Sequence, residues 1–313
     1  MPGAVNLPVL NDVERATVGT MYVQESPFKA RKIGAALVAR NAAQHLEQSL
    51  MSMDGGWKPL VYCWRGGQRS GSFSTILRQV GWRAEVVEGG YKAYRKLVQK
   101  ALYEEAFLPK VVLLDGNTGT AKTDILAALS TRGVQVIDLE GLANHRGSLF
   151  GARAGGQPSQ KAFESALAQV LAGLDATRPV VVEAESSKIG QIVVPPTLWA
   201  AMRAARRLEV QAPLAARAKY LATAYADIIE DRERLGSVLD KLRNYHAAEV
   251  IERWHALANA GKMEALASAL MDEHYDSRYG KARAEKADIT QLKVTGLEAL
   301  DIDAVAARID ELL

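Results

Sequence analysis

Short apolar runs alternate with amphipathic stretches along most of this 313-residue chain. Pro59-Leu60-Val61-Tyr62 reads as a short buried strand, and Ser72 to Val80 places Phe73, Ile76, Leu77 and Val80 at helical spacing. Helical patterns also run from Asn11 onward and over Ala30 to Ser52. A second short strand, Ala84-Glu85-Val86-Val87, passes through Glu88-Gly89-Gly90 into a helix ending near Ala101. Val111-Val112-Leu113-Leu114 is a continuous apolar run, as expected of a strand buried on both faces, and a helix carrying Ile125, Leu126 and Leu129 follows it. Val134 to Leu139 and Pro179 to Val182 read as further strands, separated by an amphipathic helix from Lys161 to Leu174 with Phe163, Leu167, Val170, Leu171 and Leu174 on one side. Beyond Pro213 the pattern is nearly all helical until a last strand-helix pair, Gln291 to Val294 and Asp301 to Leu312. Alternating strands and helices predict α/β architecture with parallel sheets, in two domains over residues 1–105 and 106–313.

Composition narrows the picture. With 48% hydrophobic and 24% charged residues the chain has the balance of a globular protein. A net charge of +3 permits a phosphate or nucleic-acid partner without demanding one. One cysteine excludes an intrachain disulfide framework and a multi-cysteine zinc site, and fits a reducing compartment. No apolar run has membrane-spanning length and no signal pattern opens the chain, so a cytoplasmic protein without membrane contact is expected.

That cysteine ends the first predicted strand and opens the turn Cys63-Trp64-Arg65-Gly66-Gly67-Gln68-Arg69-Ser70. Converging backbone N–H groups, a following helix N-terminus and guanidinium groups all stabilise a thiolate. A buried structural thiol is the plainer alternative, but two arginines and two glycines within six residues of a core thiol would be an odd choice. A reactive Cys63, assisted by Arg65 and Arg69, is the favoured reading.

Gly116-Asn117-Thr118-Gly119-Thr120-Ala121-Lys122-Thr123 resembles a phosphate-binding loop. Glycines (Gly116, Gly119) let backbone N–H groups turn inward, Lys122 would meet a terminal phosphate, and Thr123 offers a hydroxyl for Mg²⁺. Ala121 stands where glycine usually precedes the lysine, which is harmless at negative φ and costly otherwise. Two other segments fall at predicted strand ends, where α/β sheets gather ligand groups. Glu185, in Glu183-Ala184-Glu185-Ser186, would hold Mg²⁺ or orient a nucleophile, or be a solvated strand end. The other segment is Asp138-Leu139-Glu140 followed by Asn144-His145-Arg146-Gly147-Ser148, in which His145 and Arg146 beside glycine would bind phosphate or an RNA backbone, or be incidental. The cations Arg203, Arg206, Arg207, Arg217 and others in the predicted helical region, interleaved with acids, read as solvated helix faces.

A rhodanese-like cysteine loop followed by a phosphate-binding loop is an unusual pairing, and here it resembles the tRNA 2-selenouridine synthase family. The likeness extends over Pro2-Gly3-Ala4-Val5-Asn6-Leu7-Pro8, the Cys63 and Lys122 loops, Gly89-Gly90-Tyr91-Lys92, Leu142 to Ser148, Gln157 to Gln160, Glu185-Ser186, and His274-Tyr275-Asp276 with Tyr279. The resemblance implies an N-terminal rhodanese-like parallel sheet, then a P-loop α/β domain with a helical C-terminal region. Met1 falls directly on the Pro-Gly-Ala segment, so the first rhodanese strand is expected to be missing, and the genomic frame is expected to continue upstream. The implied reaction converts wobble 2-thiouridine of tRNA to 2-selenouridine, by S-geranylation from geranyl diphosphate and then selenation from selenophosphate. In it Cys63 would carry selenium as a selenenyl-sulfide, and the Lys122 loop would hold diphosphate. No tightly bound cofactor is implied, Mg²⁺ aside, and a monomer is the expected state. The competing readings are a P-loop small-molecule kinase with a regulatory rhodanese-like module, and a passive RNA- or phosphate-binding protein.

Overall fold

The computed structural model describes residues 1–276 and 288–313. The chain divides into two compact units, Met1–Ala101 and Leu102–Leu313. In the first, α1 (Asp12–Gln24) starts at an Asn11 cap reciprocated by Glu14, and α2 (Pro27–Glu47) starts at Ser26 with proline in its first turn. Then come β1 (Leu60–Val61), α3 (Gln68–Val80), β2 (Glu85–Val86) and α4 (Gly90–Gln99). β1 and β2 pair in parallel, and Phe73, Leu77, Trp82, Val38 and Ala42 pack a small core. Two expectations change. The strand at Leu60 is not buried, because Leu60 faces an open cleft and is 60% exposed. Val80 also points to solvent, since α3 ends there at the left-handed Gly81.

The second unit opens with β3 (Val111–Gly116), every residue of it buried, followed by α5 (Lys122–Thr131), β4 (Gln135–Ile137) and α6 (Leu139–Ala143). Next are α7 (Gln160–Ala172), β5 (Val180–Glu183), the hairpin β6 (Lys188–Ile189) and β7 (Ile192–Val193), and α8 (Pro196–Ala204). After β8 (Arg206–Gln211) run α9 (Leu214–Ala224), α10 (Ala226–Ile229), α11 (Arg232–Asp240), α12 (Ala248–Asn259) and α13 (Met263–Leu270). β9 (Ile289–Lys293) and α14 (Ala299–Leu312) close the chain. The sheet order is β4-β5-β3-β8-β9, parallel throughout. The chain leaves β3 to build one side and returns to build the other, so the order reverses beside β3, where parallel sheets gather ligands. Val112, Leu114, Val181, Leu208 and Val210 pack against Ile125, Leu129, Val305 and Ile309 of α5 and α14. A separate helical core gathers Trp254, Ile251, Leu239, Leu242 and Leu266.

Two further expectations are corrected. Leu139 is not the end of a strand but the first residue of α6, because Asp138 caps that helix by accepting from Gly141 N–H at 2.7 Å. Arg206 and Arg207 are not solvated helix cations but lie on β8, inside the sheet. Each charge on that strand has a local answer. Arg207 Nη1 donates to Asp115 at 2.5 Å, Arg206 Nη2 to the Leu312 carbonyl at 2.6 Å, and Gln211 to Glu209 at 2.9 Å. The expectation at Tyr279 lies outside the described residues.

Candidate functional site

In the first unit, β1 hands over to α3 through the Cys63 loop. Gly66 and Gly90 both have positive φ, and a Cβ at Gly90 would sit 2.2 Å from the Cys63 carbonyl oxygen. Lacking one, the first turn of α4 closes onto the loop: Tyr91 N–H donates to the Cys63 carbonyl at 2.9 Å and Lys92 N–H to that of Trp64 at 3.0 Å. The sulfur receives hydrogen bonds from Gly67 N–H and the Ser70 hydroxyl, both at 3.3 Å. Partial burial pushes the thiol upward, but the Ser70 hydroxyl and the backbone N–H groups of Ser70, Gly67 and Arg65 outweigh it and bring Cys63 down to about 7. Arg65 is exposed and acts through its backbone, while Arg69 lines the cleft with the sulfur. Ser70, buried beneath the thiol, is the partner that attention to the arginines missed. This cleft, about 830 Å³, is bordered by residues of the N-terminal segment and by Trp64, which is 53% exposed and stacks on Tyr91 at 5.4 Å.

In the second unit, β3 ends in the predicted phosphate loop. Lys122 Nζ folds back to donate to the Gly116 carbonyl at 3.1 Å. Ala121 adopts φ 57°, ψ 30°, so the residue in the usual glycine position does sit in the left-handed region. At Gly119, φ is +84° and a Cβ would come within 2.9 Å of Leu221 on α9. Only glycine lets the helical region press this closely on the loop. Arg217, buried on the same helix, donates to the Thr118 carbonyl at 3.1 Å and pairs with Asp276 at 2.6 Å.

The loop floors a cleft of about 550 Å³ that brings Lys122, Thr123, Glu140, Arg146 and Glu185 together. Glu185 is no solvated strand end. Burial first, then repulsion from Glu140, raises its carboxyl to about 8 against the pull of Lys122. Glu183, fully buried at the end of β5, is also raised by burial, and its Oε1 accepts from Glu140 N–H at 2.6 Å. Arg146 lines the cleft, yet its guanidinium is held by Asp227 at 2.8 Å and lies 4.6 Å over the Tyr225 ring. His145 is a brace: its Nδ1 accepts from Gly147 N–H at 3.1 Å, and burial holds the imidazole below its usual range. Thr123 lies 3.5 Å from the Glu140 carboxylate, so hydroxyl and carboxylate oxygens face the space where phosphates would lie. No group of three or more His, Cys, Asp or Glu among the described residues could hold a metal unaided.

A buried parallel sheet ending in a lysine-bearing phosphate loop, with carboxylates across the cleft, defines a P-loop α/β protein. Comparison with known proteins makes this specific: residues 109–302 match the tRNA 2-selenouridine synthase AAA domain. The chain belongs to the tRNA 2-selenouridine synthase family. A tRNA 2-selenouridine synthase of Nitrosomonas europaea is 38% identical over 221 residues, covering 69% of this chain and 57% of that protein. The chain thus spans little more than half the length of that relative. Proteins of the same name from Chromohalobacter salexigens and Pseudomonas syringae pv. tomato are both 34% identical; the matches cover 89% and 91% of this chain, and 82% and 85% of theirs. No helix among the described residues is long and apolar enough to cross a membrane.

Proposed function

We propose that this chain converts wobble 2-thiouridine of tRNA to 2-selenouridine, in two steps that use its two loops separately. The first unit is read as a rhodanese-like domain. The protein would work as a cytoplasmic monomer on tRNA, selenophosphate and geranyl diphosphate. In the first step the thiouridine sulfur attacks C1 of geranyl diphosphate, the C–O bond breaks, and diphosphate leaves. Lys122, once it swings off the Gly116 carbonyl, and the inward N–H groups of the loop would neutralise the charge that develops on the leaving group. In the second step the selenium of selenophosphate attacks C2, the C2–S bond breaks, and geranylthiolate, a far better leaving group than a bare sulfide, departs with a proton from the Cys63 thiol. Water then cleaves the Se–P bond, releasing phosphate and leaving 2-selenouridine. Arg69, beside the sulfur in the cleft, would draw the selenophosphate anion in.

Mg²⁺ fits the chemistry of the donors around the loop. Thr123, Glu140 and Glu185 offer hard oxygens, too few for an all-protein cage but suited to an ion bound mainly through substrate phosphates, where it would add positive charge against the leaving group.

The observation that carries the reading is Cys63: in a chain of this family, a sulfur held near its ionisation point at neutral pH opens onto a cleft large enough for a nucleotide. The test is to incubate the full chain with 2-thiouridine tRNA, geranyl diphosphate and selenophosphate and analyse the digested nucleosides by mass. Cys63→Ala is expected to stop at geranylthiouridine, and Lys122→Ala to lose geranylation at least ~100-fold. ATP turnover that needs no tRNA and survives Cys63→Ala would replace this reading with a kinase.

A further inference from the structure

A second, apolar pocket of about 70 Å³ adjoins the phosphate-loop cleft and shares Thr118, Ser148, Leu221, Tyr225 and Tyr275 with it. Beyond that shared rim its wall is hydrocarbon: Phe150, Ala222 of α9, Leu235 of α11, and Met263, Leu266 and Ala267 of α13. Several of these residues belong to the packed helical core around Trp254, which nonetheless leaves this space open.

We infer that the pocket receives the tail end of the hydrocarbon chain of a ligand whose diphosphate lies in the phosphate loop, and that α9 and α13 set the length of chain accepted. The inference rests on the reading of the cleft as a diphosphate site. Three observations support it. The pocket and the cleft share five lining residues, so one molecule can reach from one into the other. α9 is fixed against the loop through the Leu221–Gly119 contact and the Arg217–Thr118 hydrogen bond, so head and tail sites keep a constant spacing. The lining also discriminates between occupants. A purine would bury ring nitrogens and an amino group against the hydrocarbon of Phe150, Leu235, Met263 and Leu266, leaving hydrogen-bonding atoms unmatched. A hydrocarbon loses nothing there and restores the dispersion contacts that an apolar void lacks.

The test is a calorimetric titration of the full chain with inorganic diphosphate, geranyl diphosphate and ATP, repeated on Ala267→Trp and Ala222→Phe. These variants fill the pocket from two different helices, so one remains informative if the other misfolds. At about fourfold per buried methylene, geranyl diphosphate is expected to bind the unaltered chain at least ~100-fold tighter than inorganic diphosphate. Each variant should bring the two ligands to within ~10-fold of one another while leaving inorganic diphosphate affinity unchanged, which also reports an intact loop. Equal affinity for both diphosphates in the unaltered chain, unchanged in the variants, would overturn the pocket assignment and leave the phosphate loop standing. ATP binding more tightly than geranyl diphosphate, with that gain lost in both variants, would give the pocket to a purine and overturn the inference. Binding of none of the three would overturn the cleft reading and the inference together.

Discussion

A thiol that would ordinarily ionise near 9 is brought down to about 7 at Cys63, so roughly half of it is nucleophilic at neutral pH. The lowering depends most on the Ser70 hydroxyl, a group no larger than a methyl plus an oxygen. Ser70→Ala is therefore expected to shift the pH midpoint of iodoacetamide alkylation upward by ~1, cutting the rate at pH 7 several-fold. Arg65→Ala, which keeps its backbone N–H, should leave that midpoint nearly in place. The cysteine's special position was legible from its glycine-rich neighbours. Its means of activation was not, because a sequence shows which side chains are near in the chain but not which backbone N–H groups converge. Ala121 makes the same point in reverse. Residue order flagged the departure from glycine, and only the φ of 57° shows that it is unfavourable. Ala121→Gly is expected to raise stability by ~1 kcal/mol. A melting point ~2–4 °C higher would register it, and an unchanged or lower one would contradict the strain argument.

Among the elements, β3 and β8 show why some strands announce themselves and others do not. Val111 to Leu114 is an unbroken apolar run and needs no partner to be recognised. Arg206-Arg207-Leu208-Glu209-Val210-Gln211 carries three charges, and only the fold reveals that Arg207 is matched from β3, Arg206 from the end of α14, and Glu209 by Gln211 on its own strand. The Arg207–Asp115 pair bridges β8 and β3 just before the phosphate loop, with both side chains largely buried. Arg207→Ala leaves the Asp115 carboxylate without that partner and is expected to cost ~3–5 kcal/mol in urea unfolding. The double change Asp115→Leu with Arg207→Met should recover most of the loss, since matched apolar groups remove the desolvation problem altogether. The cleft carboxylates were half legible: Glu185 and Glu140 both stand in segments that read as strand ends, whereas the Asp138 cap that turns the chain into α6 and brings Glu140 to the cleft did not show.

For the second unit as a whole, the buried acids make stability depend on pH. Glu185 keeps its proton in the folded state up to about 8, while in the unfolded chain it loses it near 4.5. Its contribution is thus fully present at low pH and is lost as pH rises through that window. Chemical unfolding is expected to become easier from pH 5 to pH 8, and Glu185→Gln should flatten the slope without abolishing it, because Glu183 is shifted in the same direction. A slope unaltered by the substitution would place the linkage elsewhere. The helical pocket was the least legible feature, since its walls come from residues spread between Thr118 and Tyr275 and each helix alone reads as ordinary core.

The resting place of Lys122 has one more outcome. Because its ammonium already has an internal acceptor in the Gly116 carbonyl, an arriving anion must compete for it, and a departing one is replaced rather than mourned. Reaching Lys122 therefore costs that hydrogen bond, which a doubly charged diphosphate repays more fully than a ligand bearing a single weak charge.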